Sequence, residues 1–153
     1  MELKGLRVTV GVLGWLVVLA SSGCSVETQD AGSLEQTEQA VVAPCTVVYR
    51  TPAIWAAQNG NPPGLQADVT IINNSAPISG WTLNFTFHSG ETVTTSWNAS
   101  VTQSGAAATA INRPWNGAIA TNGSVNFGYL ASRTAAATAP TNFTLNGQIC
   151  DVR

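Results

Sequence analysis

The chain has 153 residues, of which 9% are charged, and a formal net charge of −2. This length supports one ordinary domain and leaves little room for two. The low charge content excludes a long coiled coil, which is rich in Glu, Lys and Arg, and argues against a nucleic-acid-binding protein, which needs a basic stripe. What remains is a polar but nearly uncharged chain, a composition common in secreted β proteins.

The N-terminal segment predicts export. Lys4 and Arg7 precede an apolar run at residues 8–20. Because this run is too short to span a bilayer comfortably, residues 1–23 are predicted to be a secretory signal peptide. An uncleaved N-terminal anchor is the alternative.

The end of this segment, Ser21-Ser22-Gly23-Cys24, resembles a bacterial lipoprotein cleavage box. The resemblance implies acylation of Cys24, and Ser25 in place of Asp favours the outer membrane over retention at the inner membrane. The box usually has Leu where Ser21 stands, so ordinary cleavage and an extracellular protein remain the alternative. Contact with a membrane is expected only through this anchor.

An acidic stretch follows at residues 24–44. It holds four of the eight acidic residues of the chain and has no basic or aromatic residue. Such a segment cannot bury enough apolar surface to offset its ordering entropy. Residues 24–44 are therefore predicted to be a flexible tether, and residues 45–153 the folded domain.

Two cysteines, Cys45 and Cys150, bracket almost the whole predicted domain. In an exported protein such a pair is expected to form a disulfide, which places the first and last strands side by side. A metal site or a catalytic thiol would need more Cys or His nearby, and the chain has one His, His88.

The domain is predicted to be all-β. Residues 81–87 alternate strictly, with Trp81, Leu83, Phe85 and Phe87 on one face and polar residues on the other. Many short strands separated by Gly, Asn and Pro turns argue for a β-sandwich or a barrel. In chain order, Val47 and Tyr49 begin the first predicted strand, and further strands follow at residues 68–72, 81–87, 91–97 and 124–129. The last is at residues 142–146 and is completed by Ile149-Cys150.

Catalysis is not expected from this set of residues. A glycosidase generally needs two carboxylates that face one bond, and the domain has only Asp68, Glu91 and Asp151. His88 stands without the partners that a metal site or a nucleophilic triad requires. We therefore predict a protein that is not an enzyme and that uses neither a metal ion nor another cofactor.

Three tryptophans, Trp55, Trp97 and Trp115, stand in polar or turn-like surroundings. Exposing such large rings is costly unless they serve a purpose, and their flat faces can stack on the apolar face of a sugar ring. We predict that they bind carbohydrate, whereas Trp81 belongs to the core. The alternative is that one or more of the three caps an end of the core.

The stretch from Cys45 to Cys150 resembles a family 2 carbohydrate-binding module, the bacterial cellulose-binding type. The resemblance implies an antiparallel β-sandwich of immunoglobulin-like or jelly-roll-like form, closed by the disulfide between its ends. It also implies a flat face with three coplanar Trp that docks on crystalline cellulose, and often on chitin. The matching segments are CTVVY (45–49), GWTLNFTF (80–87), VTTSW (93–97), VTQSG (101–105), PWNG (114–117), NFGY (126–129) and FTLNG (143–147).

Trp97 and Trp115 match two of the three surface Trp of that family, and Trp81 matches its buried one. Trp55 is the third by this comparison, although an extra loop at residues 56–63 separates it from the matching pair Gly64-Leu65. Polar positions of the binding face fall at Asp68, Thr95 and Asn126, where the family often has Asn and Gln.

The resemblance thus predicts non-catalytic binding of insoluble polysaccharide, and no binding of nucleic acid. Such a protein could hold cells or partner glycoside hydrolases on a polysaccharide surface. The xylan-binding branch lacks the PWNG loop that this chain keeps at residues 114–117, and it often has an Arg shortly after its first Trp. Here Gln58 stands three residues after Trp55, so the crystalline-surface type is favoured. The competing hypothesis is an adhesion or structural sandwich that binds another glycan or a protein, and the changed spacing after Trp55 is the feature that favours it.

Overall fold

The computed structural model describes residues 42–88 and 90–153. The predicted signal peptide, the predicted acylation site at Cys24 and most of the predicted tether lie outside the described residues. Within the described part, no helix is long and apolar enough to cross a membrane. The strands there are β1 (Cys45–Trp55), β2 (Gly64–Asn73), β3 (Thr82–Thr86), β4 (Thr92–Trp97), β5 (Ala99–Ser104), β6 (Ala107–Asn112), β7 (Ser124–Ser132), β8 (Thr141–Leu145), β9 (Gln148–Ile149) and β10 (Asp151–Val152).

These strands form two five-stranded sheets. The first has the order β10-β1-β2-β7-β4 and the second has the order β5-β6-β3-β8-β9. Neighbouring strands are antiparallel, except that β10 runs parallel to β1. Buried residues of both sheets belong to one hydrophobic core, so the predicted β-sandwich is confirmed.

The core is built from the alternation that the sequence displays. On β2 the residues Leu65, Ala67, Val69 and Ile71 are fully buried, while the residues between them are half-buried on the outer face. The predicted inward face of residues 81–87 is confirmed as well, because Trp81, Leu83, Phe85 and Phe87 are at most 3% exposed.

Two tyrosines meet at this core, the buried Tyr129 and the half-buried Tyr49. The Tyr129 hydroxyl donates a hydrogen bond to the Tyr49 hydroxyl at 3.3 Å. Burial raises the pKa of both hydroxyls above the ordinary value. Both residues therefore stay neutral at working pH, and their titration adds no pH dependence to the fold.

The disulfide between Cys45 and Cys150 is present, as predicted. Cys45 opens β1, and Cys150 lies between β9 and β10. Directly after it, β10 pairs with β1 through Thr46↔Asp151 and Val47↔Val152, so the two ends of the domain do lie side by side.

Two strands, β5 and β6, were absent from the sequence-based prediction. Half of their residues are Ala or Ser, and neither strand has an aromatic residue. On β6 the β-branched residues Thr109 and Ile111 lie on the outer face, so the inward face carries little hydrophobic signal. Tertiary packing makes them strands, because β6 pairs with β3 along its whole length and buries Ala108 and Ala110 in the core. Small side chains filled these inward positions and hid the pattern.

Candidate functional site

The outer face of the first sheet carries most of the predicted site residues. On β2 this face presents Gly64, Gln66 and Asp68, which alternate with the buried core positions. Antiparallel pairing extends the face onto β7, where Gly128 lies opposite Asp68 and Leu130 lies opposite Gln66. Residues paired in this way share a face, so the side chains of neighbouring strands form one surface.

Trp55 ends β1 and lies directly opposite Gly64 on β2. A side chain at Gly64 would collide with the six-membered ring of Trp55, because the ring covers that glycine. Glycine under an aromatic ring is a recognised device for holding the ring on a sheet. Trp55 is 39% exposed, so much of the ring still faces solvent.

Trp97 repeats this arrangement at the other side of the sheet. It ends β4, lies opposite Gly128 on β7, and covers that glycine with its six-membered ring. Its exposure, 36%, is close to that of Trp55. Gly64 and Asp68 are four residues apart on β2, so they belong to the same face of the sheet, and Gly128 shares that face because it pairs with Asp68. The rings of Trp55 and Trp97, which cover Gly64 and Gly128, therefore lie on the same face.

The separation of the two rings follows from the register. Four residues along β2 separate Gly64 from the partner of Gly128, which is ~13 Å at ~3.3 Å per residue. One strand spacing of ~4.8 Å separates β2 from β7 laterally. The two glycines, and with them the two rings, therefore lie ~14 Å apart on a shared surface.

Trp115 stands on a turn between β6 and β7. Arg113 accepts a hydrogen bond through its carbonyl from the Asn116 amide at 3.2 Å, which closes a β-turn with Pro114 at its second position. The Trp115 ring is 73% exposed. The Asn116 side chain donates to the Asn98 carbonyl at 2.7 Å, and so ties this turn to the end of β4, next to Trp97.

The buried Trp81 supports the same turn from below. Its indole Nε1 donates to the Asn116 carbonyl at 2.8 Å, and its backbone amide donates to the Asn112 side chain at 2.9 Å. Its ring stacks on Phe127 in the core, with centroids 5.7 Å apart. The position of the exposed Trp115 is thus set from the core.

The three predicted polar residues also lie on the first sheet. Asp68 and Asn126 occupy outer positions of β2 and β7, and Thr95 lies opposite Leu130 on the outer face of β4. Asp68 accepts a hydrogen bond from Gln66 at 3.4 Å and has Arg50 as its cross-strand neighbour. Two residues of opposite charge, Asp68 and Arg50, therefore stand on the same face.

The loop at residues 56–63, which separates Trp55 from Gly64 in sequence, closes on itself. Gln58 and Asn61 exchange backbone hydrogen bonds of 2.9 and 3.2 Å around Asn59 and Gly60, whose φ angles of 50° and 80° are those of a type I′ turn. The extra residues therefore make a small hairpin, and Trp55 returns into register with Gly64.

Arg133 is a site residue that sequence reasoning missed. Its guanidinium donates to the Trp55 carbonyl at 3.3 Å and to the Gly64 carbonyl at 3.4 Å, and its backbone amide donates to the Pro63 carbonyl at 2.9 Å. Arg133 thus holds both ends of the hairpin. No local motif signals this role, because the contacts span more than 60 positions of the chain.

No catalytic centre is apparent in residues 42–88 and 90–153. There, no group of three His, Cys, Asp or Glu residues comes together in a way that could hold a metal ion. The His88 ring is hydrogen-bonded to Thr141 at 2.6 Å at the exposed end of the sandwich. Glu91 is buried, and its carbonyl accepts a hydrogen bond from Gln103.

The model of the cellulose binding domain family matches residues 45–150. The chain belongs to the cellulose binding domain family. The match begins and ends at the two disulfide-bonded cysteines, so it covers the sandwich that carries the three Trp. Residues 45–150 form a carbohydrate-binding domain of this family.

Several curated relatives of this cellulose binding domain are larger enzymes, and only a part of each matches this chain. Exoglucanase A of Cellulomonas fimi is 39% identical over 127 residues, which cover 82% of this chain and 14% of that enzyme. Chitinase C of Streptomyces lividans is 34% identical over 112 residues, which cover 72% of this chain and 18% of that enzyme. The chain spans less than a quarter of the length of the curated relatives it matches.

A solved structure agrees with the fold. The chitin-binding domain of Chi18aC from Streptomyces coelicolor is 34% identical, with a TM-score of 0.56, and the match covers 70% of this chain and 94% of that one. Relatives of this cellulose binding domain therefore include proteins named for chitin as well as for cellulose.

The glycine under the Trp97 ring allows a direct test of how that ring is held. Gly128→Ala is expected to displace the ring, because the added Cβ would collide with it and would stand 2.8 Å from the Ala67 carbonyl oxygen. We expect polysaccharide binding to fall, with a loss of ~1–3 kcal/mol in the free energy of unfolding, measured by urea denaturation. Gly80→Ala is the matched control, since a Cβ there meets nothing closer than 3.6 Å. Unchanged binding by Gly128→Ala would show that the ring position is not needed.

Proposed function

We propose that residues 45–153 bind insoluble β-linked polysaccharide, crystalline cellulose or chitin, by stacking Trp55, Trp97 and Trp115 on sugar rings. One observation carries the proposal: two Trp rings lie on glycines of a single sheet face, so that each ring rests on the sheet. The third ring is the most exposed of the three and stands on a turn tied to the end of β4.

Such a face suits a flat and uncharged ligand. Stacking on the apolar side of a sugar ring removes water from both surfaces, which is favourable and not directional. The polar residues Asp68, Thr95 and Asn126 would meet the hydroxyl groups at the edges of the rings. The Asn side chain can both donate and accept, as a hydroxyl-rich ligand requires.

The direct test is sedimentation of the protein with microcrystalline cellulose, chitin and insoluble xylan. We expect the protein to sediment with cellulose or chitin and to stay in solution with xylan. A folded protein that binds none of the three polymers would overturn the proposal and move the adhesion hypothesis to first place. The spacing after Trp55, which favoured that hypothesis, has a local explanation in the hairpin at residues 56–63.

Binding is expected to depend little on salt. From Cys45 onward the chain has four Arg and three acidic residues, a net charge of +1. A ligand without charge releases no counterions, so the dissociation constant should change by less than about twofold between ~50 and ~200 mM NaCl. The depletion assay with cellulose and chitin at both salt concentrations measures this. A steep loss of binding as salt rises would contradict a stacking mechanism.

We also propose that the protein is exported and held at the cell surface by an acylated Cys24, with an extracellular protein as the alternative. The charged and apolar pattern of residues 4–20 and the Gly23-Cys24 pair support this. In that position the domain would hold cells, or partner glycoside hydrolases, on a polysaccharide surface. Mass spectrometry of the mature N-terminus tests the anchor, since an unmodified N-terminus other than Cys24 would exclude it.

A further inference from the structure

A groove of about 250 Å³ opens on the same sheet face, between the Trp55 ring and β4. One wall is the hairpin at residues 56–63, the opposite wall is β4, and the floor is the end of β7. The residues that matter for its chemistry are the apolar Trp55, Pro62 and Leu130 and the polar Asn61, Thr94 and Ser132.

The walls of the groove are held in place before any ligand arrives. The hairpin is closed by the backbone bonds between Gln58 and Asn61, and Arg133 binds the chain at both of its ends. On the other side, the Thr94 hydroxyl donates to the Leu130 carbonyl at 3.2 Å and ties β4 to the floor. A pre-organised site loses less entropy on binding than a flexible one.

The size and lining of the groove suit a single substituent of a sugar ring better than a complete small molecule. Sites for complete small molecules usually measure ~300–1,000 Å³. This groove is smaller, and Trp55, Pro62 and Leu130 make much of its surface apolar. A sugar hydroxyl gains nothing from an apolar floor, because burying it without a partner is costly. Burial of a methyl group on the same floor is favourable, because it removes apolar surface from water.

One polar side chain, that of Asn61, lies at the rim of the groove beside its apolar lining. Within residues 42–88 and 90–153, the Asn61 side chain has no hydrogen-bond partner, while its backbone amide and carbonyl are used in the hairpin. A side-chain amide offers both a donor and an acceptor. An acetamido group has the complementary pair, an N–H and a C=O, beside its methyl group.

We propose that this groove seats the acetamido group of a β-linked N-acetylglucosamine chain stacked on Trp55, so that the face binds chitin more tightly than cellulose. The methyl group would lie on Leu130 and Pro62, and the amide would bond to Asn61. This inference rests on the proposed function, because the Trp rings must first place the chain on the face.

The test compares chitin and cellulose binding by the full chain and two variants. Leu130→Ser is expected to weaken chitin binding by about fivefold or more, because the apolar floor is lost, and to change cellulose binding by less than about twofold. Ile111→Ser is the matched control: Ile111 is 43% exposed on the outer face of the second sheet, and its replacement should affect neither polymer. Asn61→Ala, at an exposed loop position that does not endanger folding, should lower chitin binding selectively as well.

Each outcome separates this inference from the proposed function. Selective loss of chitin binding in both variants supports the groove. Equal loss on both polymers, no loss on either, or a wild-type preference for cellulose overturns the groove and leaves the Trp platform standing. A wild-type protein that is folded and binds neither polymer overturns the proposed function itself. Titration with N-acetylchitohexaose and cellohexaose, followed by chemical shifts of the Leu130 and Asn61 amides, gives the same comparison in solution.

Discussion

The double variant Trp97→Ala/Trp115→Ala is expected to lose detectable binding to both cellulose and chitin. Stacking of an aromatic side chain on a flat ring contributes ~1–3 kcal/mol, by analogy with base stacking. Two rings together then contribute ~2–6 kcal/mol, which is at least ~30-fold in the dissociation constant. Depletion of protein from solution by each insoluble polymer measures the effect.

The fold should survive this double change. Trp97 is 36% exposed and Trp115 is 73% exposed, so neither is a core residue. Trp81, by contrast, is only 1% exposed. Near-ultraviolet circular dichroism should therefore keep the signal of the core aromatics. The matched control is Ile111→Ala/Ile149→Ala, which removes two exposed apolar side chains from the second sheet and should bind as wild type does. Full binding by the Trp variant would place the ligand face elsewhere.

Removing the disulfide with Cys45→Ser/Cys150→Ser is expected to lower the free energy of unfolding by ~4–5 kcal/mol. The two cysteines are 105 positions apart, and in the chain-entropy model a closed loop of this length restricts the unfolded chain by that amount. The total free energy of unfolding of a domain is usually only ~5–15 kcal/mol, so the variant should unfold at a much lower urea concentration. Urea denaturation followed by tryptophan fluorescence measures the change.

The control for this prediction is wild-type protein unfolded in the presence of a reducing agent, which should match the variant. Buried hydroxyl groups can themselves destabilise a core, and both cysteines are buried, so Cys45→Ala/Cys150→Ala separates that effect from the lost cross-link. A variant as stable as the oxidised wild type would contradict this account, because it would mean that the cross-link does not restrict the unfolded chain.

Local pattern predicted the strands whose two faces differ strongly. Residues 81–87 alternate large apolar with polar side chains, and the structure buries the predicted face. The strand predicted at residues 124–129 lies within β7, where Phe127 and Tyr129 are buried and Val125 is half-buried. The same reasoning failed for β5 and β6, and on β6 Ala108 and Ala110 fill the inward positions. A small residue carries almost no hydrophobic signal, so the core around Ala108 and Ala110 decides that these segments are strands.

In the binding site, too, some features can be read from local sequence and others depend on tertiary structure. The polar surroundings of Trp97 and Trp115 in the sequence indicate exposed rings, and exposed rings are found. The family resemblance implied Trp55 as the third ring, but its position on the face could not be predicted, because eight residues separate it from Gly64 along the chain. Only the hairpin at residues 56–63 and the β1–β2 register bring the two together.

The sequence by itself determined an all-β domain, a sandwich or a barrel, with a cysteine pair at its ends and tryptophans in polar surroundings, because cysteine count, alternation and aromatic context can be read along the chain. The sandwich was implied by the family resemblance. Tertiary structure decided which tryptophans share a surface, since that depends on strand register between β1 and β2 and between β4 and β7. It also decided that glycines lie beneath the rings and that Arg133 holds the hairpin. These contacts join residues far apart in the chain, and no local pattern encodes them.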